Sequence, residues 1–295
     1  MLPSTSFNTV EPVAGILPKA GLSGTEAVRS HLEMEADLGR VERMVNEFFV
    51  ESDDYRIAAP PCRIPEGFLM SVVIPVYNEE ATISRVVGRI LEIPLNKEVI
   101  IVDDGSTDNT RDVLEYIMDH PDVRIILQHQ NAGKGAALRT GFEAAKGDVV
   151  VIQDADLEYD PRDIPGLLVP ILNGDSDVVY GSRFLGEQEH DKSWVHRLGN
   201  GILTRASNWT TGWKLTDMET CYKVFRRELL QSIPIEQNRF GFEPEITAKL
   251  ARRKARISEV PVSYNARSYS EGKKIGIRDL FNAFYCIIRY GWFSR

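Results

Sequence analysis

The chain alternates short, almost wholly apolar runs with longer segments whose apolar residues recur every three or four positions. The apolar runs span residues 70–76, 98–102, 123–127, 148–152 and 177–180. The segments with helical periodicity span residues 79–91, 108–118, 134–145 and 161–172. Buried strands that alternate with helices are typical of a parallel sheet with helices on both faces. The pattern therefore predicts an α/β fold with a mainly parallel sheet.

The segments before this core have a different character. Residues 1–23 are rich in Pro, Gly, Ser and Thr without a period, which predicts a flexible lead-in. An amphipathic helix is predicted over residues 23–51, and a Pro-rich linker over 52–67. The apolar stripe of this helix has two open uses, packing against its own domain or pairing across a homodimer.

A last amphipathic helix is predicted over residues 276–295, with apolar residues gathered on one side. It can pack against the sheet, or it can lie on a membrane surface near a lipid chain. The predicted organisation is thus an N-terminal extension over 1–67, a main domain over 68–275 and a C-terminal helix over 276–295.

Composition narrows the class of protein. With 295 residues, 43% hydrophobic and 26% charged, the chain has the composition of a globular protein. It contains no apolar run of the roughly 18 residues that a spanning helix needs, and its start lacks the pattern of a secretory leader, so we expect a cytoplasmic protein. The 3 cysteines are scattered, which favours neither disulfides nor a zinc site.

The net charge is −8, but the chain begins acidic and ends basic. An acidic chain is not typical of a general nucleic-acid binder, so no nucleic-acid partner is expected. The basic end suits contact with phosphate or peripheral contact with an anionic membrane face, directly or through a membrane-protein partner. A solvated charged surface is the alternative interpretation.

Polar residues directly follow three of the predicted strands. In open parallel sheets, ligands bind beyond the carboxyl ends of the strands, so these residues are the first candidates for chemistry. They are Pro75, Tyr77 and Glu79 after the first strand, Asp103 and Asp104 after the second, and Asp154, Asp156 and Glu158 after the fourth.

The triplet Asp154-Ala155-Asp156 is the strongest of these signals. Two carboxylates at the end of one strand can hold a divalent cation that also binds diphosphate oxygens, and Glu158 can add a third ligand. Because clustered acids repel one another, a purely structural role is disfavoured. We therefore predict a site for Mg²⁺ or Mn²⁺.

Two further segments have both functional and structural interpretations. Asp103 and Asp104 can accept hydrogen bonds from ribose hydroxyls or base N–H groups, while the residues after them can cap the next helix. Lys134 opens a predicted helix, where its ammonium and the free backbone N–H groups can face a phosphate. The spacing is not that of a Walker A loop, and a plain helix cap is the alternative.

Five segments, VVIPVYNEE, VDDGSTDNT, NAGKGAALRTG, QDADLEYDP and YGSRF, occur in this order within residues 70–275. Together they resemble the family 2 glycosyltransferases, and especially the dolichyl- and polyprenyl-phosphate hexose transferases. The resemblance implies the GT-A fold, with a nucleoside-diphosphate sugar as donor and a metal ion bound to the QDADLEYDP acids. The nucleotide is then expected around Pro75, Tyr77, Glu79, Asp103 and Asp104.

The resemblance also implies roles for basic residues near the acceptor and the diphosphate. Arg183 matches an arginine that contacts phosphate in the lipid-phosphate transferases, and Arg267 matches one placed near the donor diphosphate. The chain departs from the family pattern after Arg267, where Glu271-Gly272-Lys273-Lys274 replaces Gly-x-Ser-Lys. A diphosphate contact from Lys273 is expected, but its detailed role is open. We also expect no membrane-spanning tail of the kind that many members of the family carry.

The predicted function is inverting transfer of a hexose from a donor of the GDP-mannose or UDP-glucose type to a polyprenyl phosphate. A phosphate acceptor needs no general base, whereas a hydroxyl acceptor in polysaccharide or glycolipid synthesis needs one. Asp217 and Glu219 are the candidate bases, with Glu243 and Glu245 behind them, unless they pair with Arg183, Lys223 or Arg226. A non-catalytic nucleotide-sugar-binding subunit is the third interpretation, and the intact acidic triplet disfavours it.

Overall fold

The computed structural model describes residues 57–58, 60–185, 194–266 and 277–293. In these ranges the strands form one 7-stranded sheet in the order β3-β2-β1-β4-β6-β5-β7. The strands are β1 (Met70–Val76), β2 (Lys97–Asp103), β3 (Val123–Leu127), β4 (Val149–Ile152), β5 (Val178–Ser182), β6 (Lys223–Arg226) and β7 (Ile257–Pro261).

Helices cover the sheet between most of these strands. They are α1 (Ile83–Leu91), α2 (Thr110–Ile117), α3 (Lys134–Ala144), α4 (Ile164–Leu172), α5 (Trp194–Thr211), α6 (Arg227–Gln231), α7 (Phe242–Arg252) and α8 (Ile277–Ile288). A 3₁₀ turn over Pro161–Asp163 leads into α4, and α8 continues as a π-helical turn over Arg289–Phe293. None of the helices in the described ranges is long and apolar enough to cross a membrane.

The sheet is mainly parallel. β1 pairs in parallel with both β2 and β4, so that Met70 lies opposite Lys97 on one side and Val149 on the other. β2 pairs in parallel with β3, and β5 with β7. All residues of β4 and β5 are buried, which explains the continuous apolar sequence of β4 and the apolar start of β5. The predicted α/β fold with a mainly parallel sheet is confirmed.

β6 is the exception, because it runs antiparallel to both of its neighbours, β4 and β5. The sequence pattern did not predict this strand, since it begins with a lysine. Lys223 is fully buried, and its ammonium donates to the carbonyls of Met218 and Thr220. It also lies 4.4 Å from the ring centre of Tyr180. A reversed β6 begins at the edge of the sheet where the parallel strands end.

The main core lies between the sheet and the helices α3 and α7. The ring centre of Phe142 on α3 lies 6.4 Å from that of Phe225 on β6 and 5.8 Å from that of Phe242 on α7. α3 approaches β1 closely at Gly141, where an added Cβ atom would clash with a methyl carbon of Val73. This close packing fixes the start of α3 beside the carboxyl ends of β1 and β4.

Several predictions fall on residues outside the described ranges. They are the N-terminal helix over 23–51, Arg267, and Lys273 with its neighbours. The predicted domain boundaries likewise stay predictions. α8 packs part of its surface into the core, since Ala283, Cys286 and Ile287 are buried.

Candidate active site

The loops after β1 and β2 are hydrogen-bonded to each other at the sheet edge. Asn78 adopts a left-handed backbone conformation with φ of 55°. Its backbone N–H donates to the Ser106 hydroxyl at 3.0 Å, and its side-chain oxygen accepts from the Thr107 N–H at 2.8 Å. The next N–H, of Glu79, donates to the Thr110 hydroxyl at 2.9 Å. Pro75 therefore lies near the end of β1, and Tyr77 and Glu79 follow it on the hydrogen-bonded loop; all three are half-buried at this edge.

Asp103 and Asp104, predicted to bind the nucleotide, are both buried and both bonded within the protein. Asp103 accepts from the Ser106 N–H at 3.1 Å and from Nε of Arg111 at 2.7 Å. The two oxygens of Asp104 accept from the backbone N–H groups of Ala132 and Gly133 at 2.8 and 2.7 Å. Burial raises the pKa of Asp104, while these two N–H groups act in the opposite direction. The geometry thus gives Asp104 a role in shaping the loop before α3.

Lys134, the first residue of α3, points inward. Its ammonium lies 2.6 Å from an oxygen of Asp154, 3.0 Å from the sulfur of Cys221 and 3.9 Å from an oxygen of Glu243. Burial alone would lower the pKa of Lys134, but Asp154, Cys221 and Glu243 together outweigh burial and hold that pKa well above its usual value. The structure brings this residue to Asp154, which the sequence had not indicated.

The acidic loop after β4 is folded tightly on itself. Leu157 has a positive φ of 61°, and an Asp156 oxygen accepts from the Glu158 N–H at 3.1 Å. The Glu158 carboxylate accepts from the Tyr264 hydroxyl at 2.8 Å, and its carbonyl accepts from the Asn265 N–H at 2.8 Å. The acidic loop is therefore bonded to the segment that follows β7.

The carboxylates of the acidic loop suit a metal ion that is also bound by the substrate, rather than one held by protein side chains alone. In the part of the chain that the structure describes, no three His, Cys, Asp or Glu side chains are grouped to hold an ion. Asp154 faces the ammonium of Lys134, while Asp156 and Glu158 are half-buried on the loop beyond it. Magnesium is commonly bound by one or two carboxylates together with substrate phosphates. Asp156 and Glu158 fit that requirement, with Asp154 behind them.

Arg183 and Asp217 form a buried bidentate ion pair at the end of β5. Nε and Nη2 of Arg183 donate to the two Asp217 oxygens at 2.7 and 2.8 Å, and the Arg183 backbone N–H donates at 3.1 Å. Asp217 is fully buried, whereas the Arg183 side chain is 17% exposed. The guanidinium also lies 5.1 Å from the ring centre of Tyr264. Its exposed edge therefore belongs to the same sheet edge as the acidic loop.

The surroundings of Asp217 favour a positioning role over that of a base. Asn200 on α5 donates to it at 2.9 Å, and Glu259 accepts from its backbone N–H at 3.1 Å. Burial would raise the pKa of Asp217, but Arg183 outweighs burial and holds that pKa below its usual value. A carboxylate that is a weak base and has both oxygens bonded is poorly suited to remove a proton. The structure thus matches the interpretation in which Asp217 pairs with Arg183.

Glu219 differs from Asp217 in its hydrogen bonding and in the direction of its pKa shift. One of its oxygens is buried without a hydrogen-bond partner in the described part of the chain, and so is one oxygen of Glu243. Burial, together with the charge of Glu243, raises the pKa of Glu219 to about 8. Of the two predicted bases, Glu219 is therefore the one with the proton affinity of a general base. Glu245 instead pairs with Lys249 at 2.6 Å.

Sequence reasoning missed three residues that complete the site. Tyr264 connects Glu158 to Arg183, Cys221 contacts Lys134, and Asn200 holds Asp217 from α5. Tyr264 lies just beyond a strand end, which is a weak signal that could have identified it. Asn200 and Cys221 carry no such signal, because the first lies within a helix and the second before a strand.

Comparison with known proteins places these features in a family. The model of glycosyl transferase family 2 matches residues 71–233. Among curated proteins, the chain is 31% identical over 226 residues to the undecaprenyl-phosphate 4-deoxy-4-formamido-L-arabinose transferase of Aeromonas hydrophila subsp. hydrophila, covering 75% of this chain and 67% of the relative. The enzyme of the same name from Proteus mirabilis is 32% identical, with 74% and 66% covered. The chain spans about two thirds of the length of these relatives.

Solved structures give the same fold. The glucosyl-3-phosphoglycerate synthase of Mycobacterium tuberculosis, in complex with Mn²⁺, UDP-glucose and phosphoglyceric acid, superposes with a TM-score of 0.60 at 25% identity, over 78% of this chain and 81% of that one. The UDP complex of that synthase gives a TM-score of 0.62 at 24% identity, over 81% and 88%. From its matched segment, its relatives and its sheet, the chain belongs to glycosyl transferase family 2 and has the GT-A fold.

Proposed function

We propose that this chain is a metal-assisted, inverting glycosyltransferase that moves a sugar from a nucleoside-diphosphate sugar to a polyprenyl phosphate. The observation that carries the proposal is Arg183, a buried arginine with one exposed edge at the same sheet edge as the acidic loop. The names of the undecaprenyl-phosphate relatives support the lipid-phosphate acceptor. The UDP-glucose and Mn²⁺ complex of the structural neighbour supports the donor class and the metal.

On the donor side, the ends of β1 and β2 and the loops after them are proposed to bind the nucleotide, through Pro75, Tyr77 and Glu79 at the first and Asp103 and Asp104 at the second. Asp156 and Glu158 are proposed to hold Mg²⁺ or Mn²⁺ together with the diphosphate. A bound divalent cation supplies charge neutralisation for the leaving diphosphate. Lys134 holds Asp154 in place at the end of β4. Arg267 and Lys273 remain predicted diphosphate contacts.

On the acceptor side, Arg183 is proposed to bind the lipid phosphate. A guanidinium has five N–H groups, and two of them donate to Asp217. The remaining donors suit the oxygens of a phosphate, which arginine recognises through its planar geometry. An acceptor oxygen then attacks the anomeric carbon as the bond to the diphosphate breaks, and the bonding electrons leave with the diphosphate. Because a phosphate monoester is already ionised near neutral pH, no base is needed.

The pKa of Glu219 favours a second candidate function, transfer to a hydroxyl group. A carboxylate whose pKa is raised to about 8 is a better proton acceptor than an ordinary one. In this case Glu219 removes the hydroxyl proton, and the rate rises with pH as Glu219 ionises. The two candidate functions therefore differ in their pH profiles as well as in their acceptors.

The test measures nucleoside-diphosphate release from a panel of UDP- and GDP-sugars with Mn²⁺, with and without polyprenyl phosphate. Release that depends on the lipid and stops with EDTA is expected. In Asp156→Asn, release should fall by at least about a hundredfold, as the metal loses a charged ligand. Metal-dependent release that ignores the lipid would refute the acceptor and favour a hydroxyl.

Arg183→Lys tests the acceptor arginine directly, because lysine keeps the charge but loses the planar pair of donors. We expect the KM for polyprenyl phosphate to rise by about tenfold or more, with little change in the KM for the donor. Arg256→Lys is the matched control, since Arg256 forms the same kind of bidentate pair with Asp177 on the exposed surface. Equal effects of the two substitutions would contradict the role of Arg183.

A further inference from the structure

Helix α5 exposes a row of large side chains along one side. Leu198, Ile202, Arg205 and Trp209 are all exposed, and they follow one another at spacings of four, three and four residues. This spacing places them on a single helical face. Trp209 is 75% exposed, which is unusual for the largest apolar side chain.

Helix α8 and its π-helical turn expose a second row with the same spacing. Phe281, Tyr285, Ile288 and Trp292 are exposed, and Phe293 lies next to the last of them. Phe281 is 70% exposed and Phe293 75% exposed. The row thus carries four aromatic rings and one aliphatic side chain on the outside of the molecule.

The two rows meet at their ends. The rings of Trp209 and Trp292 are in edge-to-face contact, with ring centres 4.9 Å apart and an angle of 79° between the planes. Together the rows form one continuous surface, which we call the aromatic face. It is defined by Leu198, Ile202, Arg205, Trp209, Phe281, Tyr285, Ile288, Trp292 and Phe293.

The exposure of the aromatic face does not come from loosely packed helices. On their other sides, Leu203, Thr204 and Ser207 of α5 and Ala283 and Ile287 of α8 are buried. Both helices therefore pack into the domain through one side, while the side that carries the aromatic face is exposed to solvent. A contiguous apolar surface of this kind marks a binding site in soluble proteins.

We propose that the aromatic face inserts into the interface of an anionic lipid bilayer, at the level of the headgroups. Aromatic side chains with a polar edge are favoured at that depth, where one part of the ring is apolar and the other is wet. The aliphatic side chains and Phe281 supply the apolar area that enters the bilayer.

The charge of these helices favours an anionic membrane over a second copy of the same face. The segment 194–211 contains Arg197 and Arg205 and no Asp or Glu, and the segment 277–293 contains Arg278 and Arg289 against the single acid Asp279. A second copy docked through the same face would bring these arginines against their own counterparts, which is unfavourable. Arginine side chains near an anionic leaflet add to membrane affinity.

The buried side of α5 connects the aromatic face to the candidate active site. Asn200 on that side donates to Asp217, which in turn holds Arg183. This step rests on the proposed function, since it places the membrane beside the arginine that binds the lipid phosphate. Docking would then deliver the polyprenyl phosphate from the bilayer directly to the site.

The test is sedimentation of the full chain with vesicles of phosphatidylcholine alone or with added phosphatidylglycerol. The double variant Trp209→Ser, Phe281→Ser removes one ring from each helix and is expected to weaken binding to anionic vesicles by about tenfold or more. The matched control is Met118→Ser, Leu127→Ser, which removes two apolar side chains of 56% and 57% exposure elsewhere. The control should bind like the unmodified chain.

A charge variant, Arg205→Glu, tests the proposal separately, because it leaves the aromatic rings in place. It should weaken binding to anionic vesicles and leave binding to neutral ones unchanged. Equal binding by the aromatic double variant and its control would overturn the proposal. So would a loss of dimers, seen by light scattering, in the double variant with vesicle binding intact, since the face would then cover a second copy.

Vesicle binding is measured without a donor sugar, so it stands apart from the proposed function. If the chain transfers sugar to no polyprenyl phosphate but still binds vesicles through the aromatic face, only the proposed acceptor fails. If transfer to a short, water-soluble polyprenyl phosphate is normal in the double variant while transfer to vesicle-bound lipid falls, both stand.

Discussion

Replacing Asp217 with Asn removes one charge from a buried ion pair while keeping the size of the side chain. Four N–H groups donate to the Asp217 carboxylate, three from Arg183 and one from Asn200, at distances between 2.7 and 3.1 Å. An amide has one oxygen and one NH₂ group. In either orientation of this amide, its NH₂ group replaces one oxygen of the carboxylate. The N–H groups that donated to that oxygen are then left without an acceptor.

The magnitude follows from burial. Asp217 is fully buried and Arg183 is 17% exposed, so the arginine keeps its charge without a counter-ion and mostly out of water. Removing one partner of a buried ion pair costs about 3–5 kcal/mol. The substitution Asp217→Asn should therefore lower the free energy of unfolding by about that amount.

Urea unfolding followed by circular dichroism measures this change, with Asp177→Asn as the control. Arg256 donates to Asp177 through its backbone N–H, Nε and Nη2, the same three groups that Arg183 uses. Asp177 is 24% exposed and Arg256 54% exposed, so the control should cost on the order of 1 kcal/mol or less. If the two substitutions lower the free energy of unfolding equally, the argument from burial is refuted.

Two further predictions concern buried charged groups of the candidate active site, Glu219 and the Lys134–Asp154 ion pair. Burial raises the pKa of Glu219 from 4.5 to about 8, so between these values the folded chain keeps a proton that the unfolded chain loses. The stability of the protein should thus fall from pH 6 to pH 8, and Glu219→Gln should remove this fall; parallel melting temperatures of variant and parent across this range would contradict it. Lys134→Met leaves Asp154 without its counter-ion and should lower the free energy of unfolding by about 3 kcal/mol. The double variant Lys134→Met, Asp154→Leu should recover most of it in urea unfolding, and no recovery would argue against a buried pair.

The sequence predicted the parallel half of the fold well, because β1, β2 and β4 are buried along most of their length. A strand that is buried on both faces has an apolar run in its sequence, whichever strands it pairs with. β5 was predicted over 177–180 but extends to Ser182, since Gly181 and Ser182 also pair with β7. Those two residues are buried although neither is strongly apolar.

The sequence could not predict β6 or the partners of the acids. A lysine normally indicates an exposed position, but Lys223 at the start of β6 is buried against the Tyr180 ring. The sequence pattern therefore hides this strand. Similarly, the position of Asp104 at a strand end predicts that it meets a ligand. Its actual partners are N–H groups 28 and 29 residues further along the chain, brought there by the packing of α3. Local patterns identify which residues are polar, but not which of them are already bonded within the fold.

The reversed strand β6 has a consequence for how this protein can diversify. The residues proposed to bind the nucleotide lie at or just after the ends of parallel strands, whereas Asp217, Glu219 and Cys221 precede β6 and reach the same edge only because β6 runs backwards. Loops that precede a strand and loops that follow one can be lengthened or exchanged independently, since they share no connection along the chain. Under the proposed function, the segment 212–222, which holds the Asp217 partner of Arg183, can therefore change while the strand ends proposed to bind the nucleotide stay the same.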